Sequence, residues 1–232
     1  CDGADHIKHI PNNIHTSLTQ ATDTTIKSIR KNTIKYDRLY VRYYTLRGAI
    51  MTKDLMDSTE LNTMDERSRD EYFMSLAIEE GKKAYALGEI PIGAILVHDN
   101  QVISRHHNRR ELDHDATAHA EVLVIREACN SLKRWRLTGC TLYVTIEPCP
   151  MCAGAIINSR IDRVVYGASD YKGGAVESLF NVLSHPGLNH EPQLQAGILA
   201  DECSQLMKDF FKERRKARRS TQEAEGSALE MR

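Results

Sequence analysis

The stretch "TLYVTIEPCPMCAGAIINSRIDRVVYGA", residues 141 to 168, decides the fold. "TLYVTI" (141 to 146) and "RVVYGA" (163 to 168) are short apolar runs rich in β-branched and aromatic residues, which predicts two buried strands. Between them "CPMCAGAIINS" has helical character, and Pro150 suits a first helical turn because proline lacks the N–H that such a turn leaves unpaired. A strand–helix–strand unit results.

Working outward, "GAILVHDNQVISR" (93 to 105) places two apolar runs around the turn pair Asp99-Asn100 and predicts a β-hairpin. Upstream, Tyr72, Phe73, Leu76, Ala77, Ala84 and Tyr85 recur at helical spacing over residues 70 to 86, and "LGEIP" ends that helix with Gly88 and Pro91 as breakers. A second helix is predicted from Ala118 to about Leu132 with Thr117 as its cap, and a short one near Val176 to Leu183. The loop "SHPGLNHEPQ" follows, and then a long helix from about Leu199 to Arg219. Helices alternating with strands predict an α/β three-layer domain.

Residues 65 to 220 carry this pattern; residues 1 to 64 do not. Residues 27 to 47 hold seven Lys or Arg against one Asp, whereas residues 54 to 80 hold nine acids and two bases, so a basic arm and an acidic connector is one reading. The first methionine is Met51, followed by Met56 and Met64, which raises a second reading. Translation then starts at one of these, and residues 1 to 50 are untranslated sequence or a fusion remnant. Both readings of the extension over residues 1 to 64 stay open, untranslated in one case and a disordered or RNA-binding basic arm in the other, while residues 221 to 232 are expected to form a flexible tail.

Over 232 residues a hydrophobic share of 41% suffices for a real core, which argues against disorder throughout. No run of 18 apolar residues and no secretory layout at the start are visible, so a soluble cytoplasmic protein without a membrane segment is expected. A net charge of -1 predicts no overall attraction to a polyanion, so any nucleic-acid contact must be local.

Six cysteines are too sparse for a disulfide scaffold, and only Cys149 and Cys152 are close. Three apart at a helix start, they lie on one face, where the helix N-terminus favours thiolates. His119, 30 residues upstream at the start of another helix, completes a His/Cys/Cys set that suits zinc. Three ligands leave one position open, the catalytic arrangement, although Cys129, Cys140 and several histidines are conceivable as a fourth. Glu121 is two residues from His119 and diverges from it by roughly 200° on an ideal helix, so it is placed as a proton carrier rather than a ligand. Each motif alone is weak. His-x-Glu followed by Pro-Cys-x-x-Cys is the signature of zinc deaminases.

With these motifs, and with "PIGAILV", "HNR", "DATAHAE", "HPGLNH" and "GILADECSQLMKDFFKERR", the chain resembles the cytidine/deoxycytidylate deaminase superfamily, and within it the bacterial tRNA-specific adenosine deaminases, over roughly residues 68 to 219. The resemblance implies an α/β/α cytidine-deaminase-like domain with a central mixed sheet and a homodimer. It implies one Zn2+ per subunit on His119, Cys149 and Cys152, and hydrolytic deamination of adenosine to inosine at the wobble position (34) of a tRNA anticodon, with Glu121 as the catalytic acid and base. Asn108 matches the asparagine that contacts the flipped nucleotide. Arg110 and Ala116 depart from the pattern, standing where relatives commonly carry proline.

The catalytic motifs alone also fit a guanine or other free-base deaminase, and a zinc-stabilised RNA-binding subunit without activity is a third class. "FFKERRKARR" favours the anticodon stem-loop, because it sets six bases against one acid after two phenylalanines and resembles the family's RNA-contacting C-terminal helix. Phe210, Phe211, Lys212, Arg214 and Arg215 are the expected RNA contacts there. Asp170 and Lys172 resemble a segment near the substrate.

Overall fold

Alternate residues of the central strands face opposite cores. Ala94, Leu96, Leu142, Val144, Val164 and Tyr166 pack on one side, and Ile95, Val97, Tyr143 and Val165 on the other. This period of two is what a strand buried on both faces requires.

The computed structural model describes Met56 and residues 58–230. Its elements are α1 (Ser58–Thr63), α2 (Glu66–Ala86), β1 (Gly93–His98), β2 (Gln101–His107), α3 (Arg110–Asp113), α4 (Ala120–Leu132), β3 (Cys140–Ile146), α5 (Pro150–Ser159), β4 (Arg163–Ala168), β5 (Gln193–Gln195) and α6 (Ala200–Glu230). The sheet order is β2-β1-β3-β4-β5. Antiparallel pairing joins β2 to β1 and β1 to β3, and parallel pairing joins β3 to β4 and β4 to β5, so the sheet is mixed as expected. One face carries α4 and α5, and the other carries α2 and α6.

The hairpin turns at the pair picked out in the sequence, with φ of 50° at Asp99 and 59° at Asn100. Two successive positive φ values are what a two-residue hairpin loop needs, and Asp and Asn tolerate them. Gly93 lets α2 press onto β1, because a Cβ there would stand 2.1 Å from the carbonyl oxygen of Ala77. The same face is stapled by buried Asp70, which accepts hydrogen bonds from Tyr143 at 2.9 Å and from both terminal nitrogens of Arg163 at 2.7 Å.

Several elements differ from the sequence reading. The first helix begins at Glu66 rather than residue 70, because the Asp65 side chain caps it by accepting the Ser68 N–H at 2.8 Å. Before it, α1 buries Leu61 in the core, and the compact unit begins at Met56, upstream of the boundary drawn at 65. The reading of residues 1 to 50 as a basic arm or untranslated sequence lies outside the described residues. No helix forms over residues 176 to 183; that segment is turns followed by irregular backbone. β5 adds an edge strand where a loop was expected to end. At the other end α6 continues to Glu230, where a flexible tail was expected.

Candidate active site

The start of β1 lies beside the carboxyl end of the central strand β3, and the starts of α4 and α5 meet just beyond it. In open α/β sheets this is where ligands bind.

His119 is the residue before the first turn of α4, with extended backbone at φ -78° and ψ 147°. Cys149 holds the same position before α5, with φ -77° and ψ 171°. Neither side chain caps its own helix, so both are free to face a shared point. Nδ1 of His119 lies 3.7 Å from Sγ of Cys149 and 3.5 Å from Sγ of Cys152. All three ligand atoms lie within 4.8 Å of one another, and among the described residues this is the group of three that could hold a metal ion. Cys129 and Cys140, kept open as a fourth ligand, sit at the far end of α4 and the start of β3.

Thr117 is not the cap of α4. Its hydroxyl donates to Asp115 Oδ1 at 2.7 Å instead, which tightens the loop before the histidine. Because His119 is extended and outside the helix, the ideal-helix angle between it and Glu121 does not apply. The first turn of α4 buries Glu121 at 4% exposure, outside the ligand cluster. Its Oε2 is buried and has no hydrogen-bond partner. An orphaned buried carboxylate oxygen is costly, so its partner is to be sought in what binds there.

Electrostatics match this picture. A hydrogen bond from Cys152, and then one from His119, outweigh burial and bring the Cys149 thiol down to about 4. The bond to Cys149 together with burial pushes Cys152 upward. Contact with Cys149 raises the His119 imidazole, and burial raises Glu121. The two sulfurs stand close enough that each disfavours a second charge beside it, and a divalent cation between them would favour both as thiolates.

Asn108 follows β2 directly and is 2% exposed. Its segment is drawn to the histidine loop by the Arg109 N–H, which donates to the Ala118 carbonyl at 3.0 Å. Beyond β4, Asp170 and Lys172 lie on a loop that the sequence reading left without an anchor. The anchor is buried Glu147, two residues before Cys149. Its Oε1 accepts the N–H groups of Val176, Glu177 and Ser178 at 2.8 to 3.0 Å, and its Oε2 accepts that of Asp170 at 3.0 Å and the Ser178 hydroxyl. Burial alone would raise this carboxyl, but the backbone donors and the Ser178 hydroxyl bring it to about 2. Gly174 makes room, since a Cβ there would stand 2.4 Å from the carboxylate. The N–H groups that follow do not build a ladder: those of Leu179 and Phe180 both turn back to the Gly174 carbonyl and that of Val182 to Ala175, so residues 176 to 183 stay turns and irregular backbone.

Phe210 is a correction. It is 4% exposed and packs edge-on against Tyr85 of α2 at 5.4 Å, with the Arg214 guanidinium over its ring, so it is a core residue and not open to RNA. Phe211, Lys212, Arg214 and Arg215 are exposed on α6. Sequence reasoning also passed over Glu89 and Glu147. An acid directly before an apolar strand ("GEIPIGAI") or before the cysteine motif ("EPCPMC") was the available signal.

Residues 67–215 match the MafB19-like deaminase family. A "tRNA-specific adenosine deaminase" of Bacillus subtilis is 50% identical over 153 residues, which is 66% of this chain and 95% of the relative. The chain belongs to the tRNA-specific adenosine deaminases. A second relative of that description, from Haemophilus influenzae, is 47% identical over 65% of this chain and 87% of its own. A solved structure from work on A-to-I editing by tRNA:A34 deaminases superimposes with a TM-score of 0.57 at 49% identity, covering 58% of this chain and 98% of that one. The deaminase is thus an enzyme, with its His/Cys cluster on the shared α/β scaffold. None of its described helices is long and apolar enough to cross a membrane.

Proposed function

We propose that this deaminase converts adenosine to inosine at wobble position 34 of a tRNA anticodon, using one zinc ion per subunit and working as a cytoplasmic homodimer. The observation that carries the reading is the free buried oxygen of Glu121 beside a His/Cys/Cys set, in a chain whose relatives are named for this substrate.

The donor set fits zinc. Bonds of about 2.0 Å to nitrogen and 2.3 Å to sulfur put a nitrogen and a sulfur on one tetrahedral ion about 3.5 Å apart. The His119 to cysteine distances are 3.5 and 3.7 Å. Zinc, when bound, would supply Lewis-acid activation of a water at neutral pH. Glu121, held beside the cluster by the first turn of α4, would take a proton from the attacking water and pass it to adenine N1 as C6 is attacked. It then serves the departing amine, so that adenosine and water become inosine and ammonia. Burial raises Glu121, which makes it a better proton acceptor for this task. Asn108 contacts the extruded nucleoside. Asp170 and Lys172, on the loop clamped by Glu147, and Phe211, Lys212, Arg214 and Arg215 on α6 meet the stem-loop, where single-stranded bases and phosphates are what proteins read.

The test is incubation of the zinc-loaded chain with an unmodified anticodon stem-loop bearing adenosine at position 34, beside free guanine. Inosine and ammonia are expected. Xanthine without inosine overturns the substrate, and RNA retention with no product from either overturns the enzyme.

A further inference from the structure

Glu89 lies in the turn between α2 and β1 and is 1% exposed, yet among the described residues it makes no ion pair that would explain a buried acid there. Both oxygens face N–H donors. Oε1 accepts the backbone N–H of Leu112 in α3 at 2.8 Å, and Oε2 accepts Nδ2 of Asn108 at 3.1 Å. Its own N–H is tied to the Ala84 carbonyl at 2.9 Å, and that of Asn108 to the Ile92 carbonyl at 3.0 Å. Both backbones are therefore fixed before any substrate arrives.

A carboxamide has a donor end and an acceptor end of nearly equal size, and only its partners decide which way it points. With both Glu89 oxygens serving as acceptors, the amide nitrogen of Asn108 must face Glu89. Oδ1 then faces away and makes no hydrogen bond among the described residues. We propose that Glu89 is a positioning residue: it fixes the Asn108 carboxamide so that Oδ1 is presented to the substrate as an acceptor. This rests on the reading of Asn108 as a substrate contact.

A purely bracing role makes a different demand. A glutamine at position 89 keeps the size and still spans the two loops, but it offers one oxygen to two donors. Whichever donor keeps that oxygen, the other meets an N–H, and the side chain able to turn is Asn108. The amide would invert and present N–H groups where Oδ1 stood.

The test is Glu89→Gln, alone and combined with Asn108→Ala, on the zinc-loaded chain. With stem-loop RNA, kcat/KM should fall on the order of 10-fold to 100-fold at unchanged zinc content, since misplaced positioning groups cost that much. In the Asn108→Ala background the same change should cost nothing further. Losses that multiply would mean that Glu89 acts only through the scaffold, and would overturn the proposal. A second readout needs no turnover. The side-chain NH2 resonances of Asn108, identified by their loss in Asn108→Ala, should exchange slowly with solvent in the parent protein and shift and exchange faster in Glu89→Gln. Unchanged resonances would overturn the proposal even if activity fell. Resonances that move in a protein inactive on the RNA would support the positioning role and sink only the substrate reading.

Discussion

Nδ1 of His119 stands 3.5 Å from Sγ of Cys152 although 33 residues separate them. Two helix starts brought to the end of β3 make that distance, and each contributes the positive end of its dipole to a thiolate-rich site. If the three side chains are one metal centre, then Cys149→Ser and His119→Ala should each lower bound zinc from about one ion per chain to near zero after dialysis. Metal analysis by mass spectrometry reads this directly. Retention of a full equivalent by either variant would show that the cluster is not the site.

Glu121 predicts a different pattern. Glu121→Gln should keep zinc, because the carboxylate lies outside the ligand cluster. Turnover should fall at least 10²- to 10⁴-fold, the usual range for a lost general acid and base. Loss of zinc with the activity would make Glu121 a ligand.

How far these roles were legible depends on where each signal resides. The strands over 141 to 146 and 163 to 168 and the Asp99-Asn100 turn are written in consecutive residues, so pattern and turn chemistry suffice. The His/Cys/Cys group is legible because a zinc site would restrict the donor types that can form it. Other features depend on partners far along the chain. Glu147 takes up amides 29 to 31 residues away and holds the loop at 176 to 183, where the N–H groups of Leu179 and Phe180 turn back to Gly174 instead of starting a ladder. The pairing of Glu89 with Asn108, 19 residues on, leaves no local trace. The phase of α6 decides Phe210 against Phe211, and a doublet at its middle does not reveal which ring turns inward.

That phase is testable. Phe210→Ala removes a ring packed on Tyr85 and should destabilise the protein by about 3 to 5 kcal/mol in urea unfolding. Phe211→Ala should cost clearly less, about 1 kcal/mol, because its ring is 38% exposed and touches the core only through its edge contact with Phe210. Equal losses would mean that both rings share the packing.

Glu80 gives the protein an acid-sensitive brace between α2 and β2. Its buried carboxylate accepts from Lys83 Nζ and Arg105 Nε, each at 2.8 Å. Burial alone would raise it, but His107, Lys83 and Arg105 bring it to about 2. A folded value below the ordinary one near 4.3 means that the unfolded chain binds the proton more readily. The stabilisation is thus full above about pH 4.5 and is lost as pH falls toward about 2. The gap in unfolding midpoint between the parent and Glu80→Gln should be widest near neutrality and close over that window. A gap independent of pH would show that the charge does not contribute.

The exposed end of α6 makes the last prediction. Lys212, Arg214 and Arg215 are open to solvent, while the core contact of the helix is made earlier, by Cys203 and Phe210. Replacing the three bases with alanine should therefore weaken stem-loop binding without changing zinc content, and should lower thermal stability only slightly, through the lost contact of Arg214 with the Phe210 ring. For single-stranded RNA each phosphate contact contributes about -0.7 to the slope of log K against log salt, so three lost contacts should flatten that slope by about 2. Deleting residues 212 to 232 should do at least as much. Binding measured across a salt series separates this from a general loss of fold, which would lower affinity at every salt concentration and release the metal as well. An unchanged slope would take the tail out of the RNA interface and leave the loop carrying Asp170 and Lys172 as the place to look.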